Sequence, residues 1–175
     1  MLRRVLIVLE NEEVCRQAVD YARELAGRMG AEVTLLMLVE MALLDRGALG
    51  RKRSALNELD ERAGRLLAEI GAEFLREGIA TSAALRVGDP AQELVKFLAE
   101  RPPFQVAIWG SGQELPAPAR RHWLAKAAGA LECSLLAVQA RQRPQASAPA
   151  AEAAGEQPTV SNTGRSKPAG DRKRQ

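Results

Sequence analysis

The chain of 175 residues is poor in the residue types that announce most chemistries. It has one histidine, His122, and two cysteines, Cys15 and Cys133, while aromatic residues make up only 3%. The cysteines stand far apart without a C-x-x-C pairing, so they form neither a disulfide framework nor a metal knuckle and read as small buried hydrophobes. A single histidine leaves no His pair for a metal, and any histidine-dependent catalysis has to pass through His122. No apolar run approaches the 18 residues of a membrane helix. The N-terminal run Val5–Leu9 is also shorter than the core of a signal peptide, so a cytoplasmic protein is expected.

The net charge of +3 is unevenly distributed. Residues 1–140 hold 18 Lys and Arg against 19 Asp and Glu, whereas residues 141–175 hold 7 against 3. That last stretch has no Leu, Ile, Met or aromatic residue and four of the nine prolines. Such a composition buries too little apolar surface to offset its ordering entropy. The expected organisation is an α/β domain over 1–140 followed by a disordered, basic, Ala/Pro-rich tail over 141–175. The cluster Arg172, Lys173 and Arg174 is suited to no more than weak contact with nucleic acid or an anionic surface.

Within the first 140 residues, Arg3–Leu9 and Glu32–Val39 are short Val/Ile/Leu-rich runs of the kind that form parallel strands covered on both faces. Between them Val14, Ala18, Tyr21, Ala22, Leu25 and Met29 recur at helical spacing, with Gly30 as the C-terminal stop. Leu56, Leu59, Ala63, Leu66, Ile70 and Phe74 mark a second helix ended by Gly78, and a third strand is expected over 81–87. In Gly88-Asp89-Pro90, Asp89 is placed to cap a helix, Pro90 suits its first turn, and Gln92 completes a capping box. That helix takes its apolar side from Leu94, Val95, Phe97 and Leu98. A strand over 105–110, a helix over 119–131 and a strand over 134–139 complete the series. Five strands alternating with helices give a doubly wound, three-layer α/β sandwich with a parallel sheet.

Ligands of such sheets bind beyond the carboxyl ends of the strands. The residues to question are therefore Glu10-Asn11-Glu12, Glu40, Gly88-Asp89 and Gly110-Ser111-Gly112. The chain has no GxxxxGK[ST] P-loop, its first strand–helix turn has no glycine, and Gly110-x-Gly112 lacks the third glycine of a dinucleotide fingerprint. A phospho-aspartate receiver would need an aspartate after the third strand, where Asp89 is already committed to a helix cap. Ser111 with His122 is the sole candidate for a hydrolytic pair, and Ser111 lies outside a G-x-S-x-G elbow. His122 beside Arg120 and Arg121 then reads as part of a basic helix start. Glu10, Glu12 and Glu13 read as acids on the first turn of a helix rather than metal ligands.

RVLIVLENEEVCRQAVDYARELAGRMGAEVTLLMLVE, VGDPAQELVKFLAE, QVAIWGSGQ and ECSLLAV resemble, in this order and spacing, successive pieces of the universal stress protein family. The resemblance covers nearly all of residues 3–139. It implies a Rossmann-like sheet of order 3-2-1-4-5 and a homodimer made through the last strand, Leu135, Leu136, Ala137 and Val138. ATP-binding members carry an aspartate followed by Gly-Ser after the first strand, and a G-x2-G-x9-G-[S/T] run after the fourth. Here the aspartate position holds Glu10, followed by Asn11 and Glu12. Of the glycine run only Gly110 matches; Gln113 takes the second position, Trp123 and Leu124 the last two, and Pro116 and Pro118 lie between. Glycines there let backbone N–H groups wrap phosphates, and proline has none to give. The expected function is thus that of a dimeric, non-enzymatic regulatory or scaffold protein of this family, working with a protein partner and without ATP or metal. The rival expectation is an adenine-nucleotide or anion binder that uses Glu10, Gly110, Ser111 and Gly112 with Arg120 and Arg121.

Overall fold

The computed structural model describes residues 3–41, 52–112, 114–116, 122–127, 129 and 131–139. Arg120, Arg121, Gln113, Pro118 and the tail from residue 140 lie outside the described residues, and so do the expectations placed on them. In chain order the elements are β1 (Arg3–Glu10), α1 (Arg16–Met29), β2 (Ala31–Glu40), α2 (Lys52–Arg76), β3 (Thr81–Gly88), α3 (Pro90–Ala99), β4 (Val106–Trp109), α4 (Trp123–Ala127) and β5 (Ser134–Ala137). All strands pair in parallel, in the order β3-β2-β1-β4-β5.

The central strands carry continuous apolar runs where both their faces are covered: Val5–Leu9 have no exposed surface, and Leu35–Val39 are at most 3% exposed. Alternation splits them between two cores. Val5, Ile7, Leu9, Leu35 and Met37 pack with α1 and α2, whereas Leu6, Val8, Leu36 and Leu38 pack with α3 and α4. Each fully buried side chain of this size contributes about 1.5–3 kcal/mol.

Helix punctuation follows local chemistry. Gly30 and Gly78 adopt left-handed φ of 60° and 75°, which suits glycine after a helix. Asp89 caps α3 by accepting the Gln92 N–H at 2.9 Å, with Pro90 in the first turn. Helix faces differ from expectation in detail. The buried residues of α1 are Ala18, Val19, Ala22 and Ala26, while Tyr21 is exposed; in α2, Leu67 is buried and Leu56 exposed. Small residues bring α1 close to the sheet, and the bulky phenol is left at the margin. The two cysteines are half-buried rather than core residues, and desolvation raises the Cys133 thiol above its ordinary pKa.

Candidate functional site

Strand order reverses between β1 and β4, so their carboxyl ends flank the crevice where ligands of such sheets bind. Glu10 ends β1; Gly110 and Ser111 follow β4. The structure brings these residues together. Ser111 Oγ accepts the Glu10 N–H at 2.6 Å and donates to the Glu13 carbonyl at 2.9 Å, so its hydroxyl is spent on joining the two loops. The Gly110 carbonyl accepts the Cys15 N–H at the start of α1, and its N–H donates to the Val8 carbonyl at 2.8 Å.

Gly110 is a packing glycine. A Cβ built on it would lie 2.6 Å from Leu9 Cδ2 and 2.8 Å from Ile7 Cγ2, both in the core. At Gly112 the nearest atom, Trp109 Nε1, is 3.4 Å away, an ordinary contact.

The turn after β1 holds two successive left-handed residues, Asn11 (φ 50°) and Glu12 (φ 63°). Asparagine tolerates this region, but for a glutamate it costs on the order of 1–2 kcal/mol. Flanking bonds hold the turn: Asn11 donates its N–H to Leu38 and accepts the Glu40 N–H on Oδ1, while Arg62 of α2 grips Glu12 with two bonds of 3.0 and 3.1 Å. The acids expected on the first helical turn therefore lie before it; α1 starts at Arg16 and its first turn carries no acid. Glu12 is matched by an arginine and not by the helix dipole.

The feature that residue spacing did not reveal is the engagement of Glu10. Trp123 Nε1 donates to its Oε1, and His122 Nε2 lies 3.1 Å from Oε2. His122 Nδ1 accepts the Leu124 N–H at 3.2 Å, which assigns the imidazole proton to Nε2 and makes that nitrogen the donor to Glu10. The rings of Trp109, His122 and Trp123 pack with centroids 5.3–6.1 Å apart. Side-chain exposure is only 17% for Glu10 and 23% for His122. A carboxylate buried to this extent needs partners, and the chain supplies them from its own later segment, 112 positions on. His122 is thus spent on Glu10 and Ser111 on backbone groups, so the two do not form the hydrolytic pair that the sequence already disfavoured. The one signal in the sequence was the bulky Trp123 where a phosphate-binding loop has glycine.

No curated protein matches this chain in sequence. Among solved structures it is similar to a protein of the universal stress protein family from Burkholderia pseudomallei, at 20% identity and TM-score 0.59, covering 78% of this chain and 96% of that one. It is also similar to the hypothetical protein MJ0577, at 18% identity and TM-score 0.64, covering 81% and 99%. A third is the universal stress protein from Archaeoglobus fulgidus in complex with dAMP, at 16% identity and TM-score 0.51, covering 79% and 98%. These likenesses establish the five-stranded Rossmann-like fold. The model of the universal stress protein family matches residues 1–112, well over half of the sequence, so the chain belongs to that family.

Proposed function

We propose that this chain is a regulatory or scaffold member of its family, not an enzyme, working in the cytoplasm as a homodimer with a protein partner and without ATP. The observation that carries the reading is the engagement of Glu10 by Trp123 and His122. A nucleotide placed at the carboxyl ends of β1 and β4 would have to displace an indole and an imidazole. Its phosphates would then meet the Glu10 carboxylate. Ser111 has no free hydroxyl to offer them, and Pro116 has no N–H. The dimer reading is supported by β5, a sheet edge whose Leu136 is 36% exposed. Pairing through such an edge removes both unpaired backbone groups and apolar surface from water.

The rival is adenine-nucleotide binding by Glu10, Gly110, Ser111 and Gly112 with Arg120 and Arg121, favoured by the dAMP complex of the Archaeoglobus fulgidus protein. Thermal unfolding in millimolar Mg-ATP separates the two. A native-state ligand at 100 times its dissociation constant adds about 2.7 kcal/mol, a rise of roughly 5–10 °C for a domain of this size. No rise is expected. A rise abolished by alanine at Arg120 and Arg121, or an adenine nucleotide released from the purified protein and detected by mass spectrometry, would establish the rival. For the dimer, Leu136→Arg is expected to yield monomer or aggregate by light scattering, and an unmodified chain that is monomeric at micromolar concentration would refute it.

A further inference from the structure

The opposite end of the sheet carries a second, differently built site. On the face packed by α3 and α4, the strands step inward from polar to apolar: Arg4 then Leu6 on β1, and Glu32, Thr34 then Leu36 on β2. Arg4 is in register with Glu32, and Thr34 with Ser82 of β3. These side chains line a cavity of about 290 Å³, walled on its outer side by Arg101, Pro102 and Phe104 of the segment that leads from α3 to β4. At its base the hydroxyl of buried Thr34, 4% exposed, lies 3.1 Å from that of Ser82, an exposed residue that opens the pair to the cavity.

Two guanidinium groups reach this cavity with donors to spare. Arg4 gives only Nε to Glu32, and its two terminal nitrogens have no partner among the described residues. Arg101 sets its guanidinium carbon 4.8 Å from the centre of the Phe97 ring, and its N–H groups have no ion pair or hydrogen bond among the described residues. Two cations against the single carboxylate of Glu32 leave one positive charge. The floor is a sheet, and Pro102 and Pro103 stiffen the wall, so little ordering entropy is lost on binding.

We propose that this cavity binds a small molecule bearing a carboxylate or phosphate oxyanion. Arg101 and the terminal nitrogens of Arg4 donate to the oxyanion, because planar guanidinium groups match both chemistries. The Ser82 and Thr34 hydroxyls take the polar remainder. The site is separate from the crevice at Glu10 and does not depend on the reading of that crevice.

The test is titration of the full-length 15N-labelled protein with sodium phosphate and, separately, sodium succinate, at ionic strength held constant with sodium chloride. Expected are saturable shifts of the Thr34, Ser82 and Arg101 amides at millimolar concentration with at least one probe, and the probe that binds more tightly identifies the oxyanion. Arg101→Ala is expected to weaken binding at least tenfold while leaving the thermal midpoint within about 2 °C, since Arg101 is exposed. Ser82→Ala should weaken it several-fold. Absence of saturable shifts at these amides with both probes, or shifts unchanged in Arg101→Ala, would overturn the proposal.

Discussion

Replacing Gly110 by alanine separates a packing role from a phosphate-binding one. The added Cβ would stand 2.6 Å from Leu9 Cδ2, 2.8 Å from Ile7 Cγ2 and 3.1 Å from the Val8 carbonyl oxygen. None of these can yield easily. Leu9 and Ile7 have no exposed surface, and the Val8 carbonyl is tied to the Gly110 N–H. Overpacking of this kind costs about 1–3 kcal/mol, against a gain of about 0.4–1 kcal/mol from the stiffer unfolded chain. A net loss of about 1–2 kcal/mol translates into a midpoint lowered by roughly 3–8 °C. Gly112→Ala is the matched control. Its Cβ meets nothing closer than 3.4 Å, so only the unfolded-state gain remains and the midpoint should hold or rise by about 1–3 °C. Thermal unfolding followed by circular dichroism, with urea titrations to confirm an unchanged m value, measures both. Equal stability of the two variants, or a greater loss at Gly112, would refute the packing argument.

Three further outcomes follow from single contacts. Ser111→Ala strands the Glu10 N–H and the Glu13 carbonyl and should cost about 1–3 kcal/mol in urea unfolding, where a loss under 0.5 kcal/mol would mean that water replaces the hydroxyl. Asp89→Ala removes the cap of α3 and should cost about 1 kcal/mol, and Asp89→Asn should restore most of it. The hydrogen bond from Arg16 holds the Glu73 carboxyl below its ordinary pKa of 4.5. Its stabilisation is therefore present above the unfolded-state pKa and lost as pH falls through the lower folded-state value. Glu73→Gln should accordingly reduce stability at neutral pH and flatten its decline below about pH 4.5; an unchanged acid limb would show that the pair contributes nothing.

What the sequence determined by itself is what short-range physics sets. Apolar runs named the strands, helical periodicity named α1 and α2, and Gly30, Gly78 and Asp89-Pro90 placed helix boundaries, because a cap or a left-handed stop needs only its immediate neighbours. The order of these pieces was enough to identify the family and its parallel sheet. Strand order 3-2-1-4-5 came from that resemblance, since periodicity does not say which strands are neighbours. Tertiary structure alone decided the candidate site. The bond between His122 and Glu10 spans 112 positions, and the constraint on Gly110 comes from Ile7 and Leu9 a hundred residues earlier. Arg62 of α2 meets Glu12 only because the sheet order brings α1 and α2 to the same face. Tyr21 and Leu56 matched the helical spacing yet ended exposed, because periodicity marks a stripe and packing decides how much of that stripe the sheet covers.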